Sequence, residues 1–204
     1  MTMGGDSSTI TSKAAVLADV CAALSDNKPN DAAGILRDRY PFVPLANVGR
    51  SYTIRQALDV FIRDGFIDRY SGERLICPAT LRLISKRLPE AFPFHANWRT
   101  DASHFGYWEL CPTVDHVMPV SRGGTDDESN WVTTSMVRNA AKSNFTLDEL
   151  GWPPPKRPGK YSDWDGLTGW FLAQAAADRA ILNDHYMRAW FSAAREHSTN
   201  PNVF

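Results

Sequence analysis

The stretch 108–143 constrains this 204-residue chain more than any other. Residues 108–114 carry strand-forming side chains. A polar loop follows, interrupted by Gly123-Gly124, where two missing side chains suit a tight turn. Residues 131–134 read as a second strand, and the pattern then predicts a helix over 135–143. Strand, glycine turn, strand and helix in so short a span define a compact unit around which the rest of the chain must pack. The 43% hydrophobic and 11% aromatic content is ample for a packed core.

The surroundings read as mostly helical. A helix is expected over 12–25, capped by Ser12 and facing inward with Ala15, Leu17, Val20 and Leu24. A second is expected over 31–39, with Asn30 as cap and Pro41 as stop. Residues 41–51 read as a linker, and the polar first ten residues as a flexible tail. Thr53 opens a third helix to about Asp64, with Ala57, Leu58, Phe61 and Ile62 inward and Gly65 at its end. Residues 66–76 suggest a short hairpin, Pro78 starts a helix to about Leu88, and 89–106 reads as an ordered aromatic loop. Beyond the proline run 153–155, two helices are expected near 165–177 and 179–197. This organisation divides into a helical region over 1–50, a core with a helical insertion over 51–150, and a helical region over 151–204 packed on that core.

The chemistry-bearing run is TVDHVMPVSRGGTDDESNWVTTSMVRNAAKSN, residues 113–144. Asp115-His116, Pro119, Gly123-Gly124, Asn130, Asn139 and Lys142 stand in an order and spacing that resembles the HNH endonuclease family, in the variant whose third letter is Asn. The resemblance covers roughly 63–145, most closely from 108 on. It implies an α+β fold: a mostly helical chain with an embedded ββα-metal motif of two short antiparallel strands plus a helix.

The residue types suit phosphodiester hydrolysis. That reaction needs an activated water and stabilisation of the leaving 3′ oxygen. A hard divalent cation serves the second need and takes oxygen ligands, for which Asp115 offers a carboxylate and Asn139 an amide oxygen. One cation per site is implied, Mg²⁺ first, with Mn²⁺ or Ni²⁺ as alternatives. His116 is the expected general base, since imidazole titrates near neutral pH. Asp115 and His116 are neighbours and would face opposite ways on a strand; a bend beside Pro119 is expected to bring them to one centre. The resemblance assigns Asn130 to bracing the loop and the histidine carbonyl or ring. Lys142, Arg122 and Arg138 are candidates for phosphate contact. Arg82 and Lys86, four apart on one helix face, are further candidates for holding nucleic acid. Asp126, Asp127 and Glu128 read better as an exposed loop than as metal ligands, and His95 and His104 better as loop-ordering groups.

Many members of the family bind a structural zinc through two cysteine pairs. At the corresponding positions stand Asp68, Ser71, Ser135 and Arg138, so no structural zinc is expected. Cys21, Cys77 and Cys111 form no CxxC pair, which fits a reducing cytoplasm. There is no apolar run of about 18 residues to form a membrane span, nor the basic-then-apolar start of a secretory signal. The formal net charge is -1, which excludes a globally basic nucleic-acid binder. Residues 51–100 hold eight Lys/Arg against five Asp/Glu (+3), and 101–150 hold three against eight (-5), an asymmetry suited to basic flanks around an acidic, metal-holding centre. The expected function is a metal-dependent DNA endonuclease, in restriction or phage defence, and a homodimer would supply two centres for double-strand cleavage. A non-cleaving nucleic-acid-binding protein, an RNA-directed nuclease and a protein-interaction module with Trp-rich helices are the alternatives.

Overall fold

A computed structural model describes residues 12–44, 52–156 and 163–199. The expected flexible tail and most of the expected linker, residues 45–51, lie outside them. The chain divides into two compact units, Met1–Leu45 and Ala46–Phe204.

In the first unit, α1 (Lys13–Ser25) and α2 (Pro29–Arg39) form a helical pair. The buried face of α1 is Val16 and Val20, whereas Leu17 and Leu24 are exposed. Val20 is inward as expected, while Val16 is buried in place of Ala15 and Leu17, an easy error in an alanine-rich helix whose sides differ little. Pro29 opens α2, two residues earlier than expected, because proline's missing N–H costs nothing in a first turn. Asn30 thus lies inside the helix instead of capping it.

In the second unit, α3 (Ile54–Arg63) begins at a full capping box: Thr53 accepts from the Gln56 backbone N–H while the Gln56 side chain accepts from the Thr53 N–H. Ala57, Leu58, Val60 and Phe61 are buried and join Phe171, Met187 and Trp190 in the main core. Phe61 and Trp190 stack with ring centroids 6.3 Å apart. These residues come from α8 (Thr168–Ala177) and α9 (His185–Thr199), so the C-terminal helices share one core with α3. Between α8 and α9 the chain makes a 3₁₀ turn, Arg179–Asn183, opened by Asp178 accepting from the Ala180 N–H.

α4 (Pro78–Arg87) starts at its proline as expected. The expected hairpin over 66–76 is reduced to one bridge, Ile67 to Arg74. The sequence pattern placed a strand at 108–114. The structure instead forms α5 (Gly106–Leu110) and then β1 (Pro112–His116). Tyr107 and Cys111 are four apart, and a helical turn lets both bury with Leu81 in a second, aromatic-rich cluster. That packing overrides the β-preference of the aromatic residues.

β1 pairs antiparallel with β2 (Trp131–Ser135). The other edge of β2 is covered by the turn after α3: the Arg69 N–H bonds the Thr133 carbonyl, and the Thr133 N–H bonds Asp64. An otherwise open sheet edge is thereby satisfied. Ser135 caps α6 (Met136–Lys142), and a single helical turn, α7 (Leu147–Leu150), follows. The two strands followed by α6 make the expected α+β arrangement. No helix among the described residues is long and apolar enough to cross a membrane.

Candidate active site

The β ladder sets Asp115 opposite Val132 and His116 opposite Trp131. Both residues lie within the paired strand, so their side chains take opposite faces, and the expected bend does not bring them to one centre. Each face carries its own polar cluster.

On the Asp115 face, the fully buried Lys142 of α6 lies 3.1 and 3.2 Å from the two carboxylate oxygens. Its ammonium also donates to the His116 carbonyl at 2.7 Å. Lys142 therefore points inward, joining the two catalytic candidates through one cation. The Tyr70 hydroxyl donates to Asp115 Oδ2 at 2.6 Å. Burial and the adjacent Asp115 carboxylate push the Tyr70 phenol well above its ordinary range, so it stays a donor. Tyr70 was not singled out from sequence; it lies 45 positions from its partner, and nothing local marks it.

On the opposite face, His116 Nε2 lies 2.7 Å from Asp126 Oδ1. The Trp131 indole N–H reaches the same pair, 2.9 Å from Nε2 and 3.2 Å from Oδ1. A carboxylate at Nε2 favours the tautomer with its proton there; the Trp131 indole N–H then donates to Asp126 Oδ1 rather than to the ring, and Nδ1 carries the lone pair. Asp126 lies in an exposed loop, as expected, yet that loop folds back and places its carboxylate against the histidine.

Asn130 holds that loop in shape. Its side-chain oxygen accepts from the Met118 N–H at 2.9 Å, and its amide donates to the Met118 and Thr125 carbonyls, each at 2.8 Å. It braces the loop backbone; the His116 carbonyl is bonded by Lys142 instead. Gly123 turns with φ +94°, a conformation that favours glycine, and a Cβ on Gly124 would stand 1.9 Å from the Met118 carbonyl oxygen. Gly124→Ala is accordingly expected to displace the loop and cost ~1–3 kcal/mol, read as a lowered midpoint in urea unfolding.

Asn139, one helical turn before Lys142, donates through Nδ2 to Thr113 Oγ1 at 3.0 Å. It borders an open cleft of about 370 Å³ with Thr113, Ala140 and Asn144. Its Oδ1 accepts no hydrogen bond among the described residues. The other basic candidates are mostly engaged. Arg122 pairs with Glu149 at 3.4 Å, Arg138 with Asp68 at 3.5 Å, and Lys86 with Asp184 at 2.5 Å. Arg82 lies over the Phe94 ring, 3.8 Å from its centroid, with no carboxylate partner among the described residues. His95 and His104 each accept, through Nδ1, the backbone N–H two residues on.

The positions where relatives carry zinc ligands converge on one carboxylate. Asp68 Oδ1 accepts from the backbone N–H groups of Tyr70 and Ser71, at 2.9 and 3.0 Å. Its Oδ2 accepts from the Ser135 N–H at 2.8 Å and the Thr134 hydroxyl at 3.0 Å, with Arg138 alongside. Asp68 is fully buried and ties the 68–71 turn to the start of α6, the two segments a zinc ion would otherwise join. This clamp also holds Tyr70 against Asp115.

HNH nucleases generally use a divalent metal. Among the described residues no three His, Cys, Asp or Glu side chains converge. The donors that remain are hard oxygens: the Asp115 carboxylate and the unpartnered Asn139 Oδ1, on facing elements. This set suits one hard cation whose shell is completed by water and phosphate oxygens. Lys142 already balances the Asp115 charge, so the protein ligands alone form a weak site.

Residues 104–135 match the model of the HNH endonuclease family. Nothing among curated proteins or solved structures matches the chain. The matched span holds both strands, Asp115, His116, Asp126 and Asn130, while Asn139 and Lys142 follow it on the adjoining helix. The family likeness found in the sequence thus rests on one HNH endonuclease segment, a minor part of the chain, and that segment is similar to those of nucleases acting on nucleic acid.

Proposed function

We propose that this protein is a metal-dependent endonuclease that hydrolyses phosphodiester bonds in DNA. The observation that carries the reading is the His116 ring, held at Nε2 by Asp126, which Trp131 also bonds, within the HNH-matching segment, with Nδ1 left to accept a proton. His116 takes a proton from a water at Nδ1, and the resulting imidazolium is stabilised by Asp126. The water oxygen bonds to phosphorus, the bond to the 3′ oxygen breaks, and solvent protonates the leaving group. Asp115 and Asn139, across the strand from His116, are the residues that would hold one Mg²⁺, which when bound would offset negative charge on the nucleic acid. Tyr70 and Lys142 keep the Asp115 carboxylate in place, and Asn130 keeps the 118–125 loop closed beneath His116. A role in restriction or phage defence rests on the family likeness alone.

Purified protein incubated with supercoiled plasmid tests this reading. Nicking is expected with Mg²⁺ or Mn²⁺ and is expected to disappear in EDTA. A parallel arm with single-stranded RNA distinguishes the substrate: cleavage of RNA with intact plasmid would overturn the DNA assignment, and no metal-dependent cleavage of either would overturn the enzyme.

A further inference from the structure

A cavity of about 260 Å³ lies beside the start of β1, away from Asp115 and His116. Four aromatic side chains line it: Phe94, Trp98, Tyr107 and Tyr186. Their planes enclose a slot and do not stack on one another. Trp98 stands at 83° to Phe94 and 90° to Tyr107, with centroids 5.6 and 5.7 Å apart. Tyr107 is buried and anchored, its hydroxyl donating to the Leu81 carbonyl at 3.0 Å and lying 2.8 Å from Ser85 Oγ. Trp98 has φ +54°, a left-handed conformation that is rare and costly for so large a residue. The turn that holds it is closed by its N–H bonding the His95 carbonyl. The indole packs edge-on against Tyr107 and Trp108 and also borders the slot.

Arg82 adds charge to this wall. Its guanidinium packs on Phe94, yet its N–H groups meet no acceptor among the described residues, unlike Arg122, Arg138 and Lys86. A flat apolar slot edged by unpaired guanidinium donors matches a planar heterocycle with acceptor atoms on its rim and negative charge nearby. A nucleobase on its phosphate backbone has that chemistry. The slot admits one base and is too small for a base pair. Cys111 lines the slot just before β1 begins at Pro112, and Thr113 and Asp115 follow on one face of that strand. At about 3.3 Å per residue, Asp115 is ~13 Å further on, within a few nucleotides along a bound strand.

We propose that this slot binds a single unpaired nucleobase of the nucleic-acid substrate, stacked against Trp98 and hydrogen-bonded by Arg82. The proposal rests on the nuclease reading for its substrate and specifies that the substrate is unpaired, or has one base extruded, near the cut.

Binding in EDTA tests it independently of cleavage. An oligonucleotide duplex carrying one bulged 2-aminopurine is compared with the same duplex fully paired, using anisotropy for affinity and 2-aminopurine quenching for stacking. The wild-type protein is expected to favour the bulged duplex about ten-fold or more and to quench its probe. Trp98→Ala is expected to abolish both effects, Arg82→Gln to reduce the preference, and Trp98→Phe to retain most of it. Thermal unfolding of each variant confirms that it is folded. Equal affinity for the two duplexes, or a preference that survives Trp98→Ala, would overturn the proposal. Discrimination without metal-dependent cleavage of any nucleic acid would leave the slot standing and defeat the nuclease reading; cleavage without discrimination would do the reverse.

Discussion

Alanine in place of Asp68 is expected to destabilise the second unit by about 3–5 kcal/mol, the scale for removing one partner of a buried charged network. The fully buried carboxylate accepts four hydrogen bonds, from Tyr70, Ser71, Thr134 and Ser135, and lies beside Arg138. Its removal strands two turn N–H groups, a hydroxyl, the N–H at the cap of α6 and a guanidinium, none of which gains a replacement. In a unit of this size the loss corresponds to a fall in melting temperature of roughly 6–20 °C. Asp68→Asn retains an acceptor on one side but presents an N–H₂ group on the other, towards donors; it is expected to lose less than alanine and still be measurably weaker. Because the clamp also positions Tyr70, metal-dependent cleavage should fall in Asp68→Asn even at temperatures where the protein stays folded. A change of less than ~1 kcal/mol on alanine substitution, within the range of ordinary surface changes, would show that the clamp does not stand in for the structural metal of relatives.

His116→Ala is expected to lower cleavage about 10²–10⁴-fold, the usual contribution of a positioned general base. The imidazole is buried, with its side chain 3% exposed, so its removal also leaves a small cavity, with the Trp131 indole N–H still on Asp126. Asp126→Asn separates orientation from proton transfer. An amide at this position can donate to Nε2 and draw the ring proton to Nδ1, blocking the proposed base while keeping the ring in place. Its activity loss should be smaller than that of His116→Ala but appear in kcat with little change in KM. DNA affinity measured in EDTA should be nearly unchanged in both variants. Cleavage by His116→Ala at the wild-type rate would remove this histidine from the mechanism.

Both predictions draw on contacts of different legibility in the sequence. The HNH segment was readable because its defining features are local. A glycine pair imposes a turn, alternation imposes a strand, and the Asp-His, Asn and Asn spacing follows from one short connection and one helical turn. The capping box at Thr53 and Gln56 and the proline start of α4 are equally local, and they appear where the residue pattern put them. The strand expected at 108–114 failed because two residues at helical spacing, Tyr107 and Cys111, had a distant partner, Leu81, to bury against. Local preference is worth fractions of a kcal/mol per residue, and burial of an aromatic side chain outweighs it.

Local chemistry along the chain thus sufficed for the strand–turn–strand–helix unit, the choice of Asp115, His116, Asn130 and Asn139 as candidates, and the absence of cysteines at the zinc positions. Tertiary structure alone decided what surrounds them. Asp68 occupies the crosslink, Tyr70 seats Asp115, the Lys142 ammonium is buried between Asp115 and the His116 carbonyl, and Asp126 folds back onto His116. A hydrogen bond depends on where two atoms meet in space. Most of these partners lie tens of residues apart, and Asp126 meets its histidine only through the fold of an intervening loop, so no periodicity or spacing encodes them. The stretch 108–143 supplies the candidate residues, and the packed surroundings decide how each is paired, oriented and held.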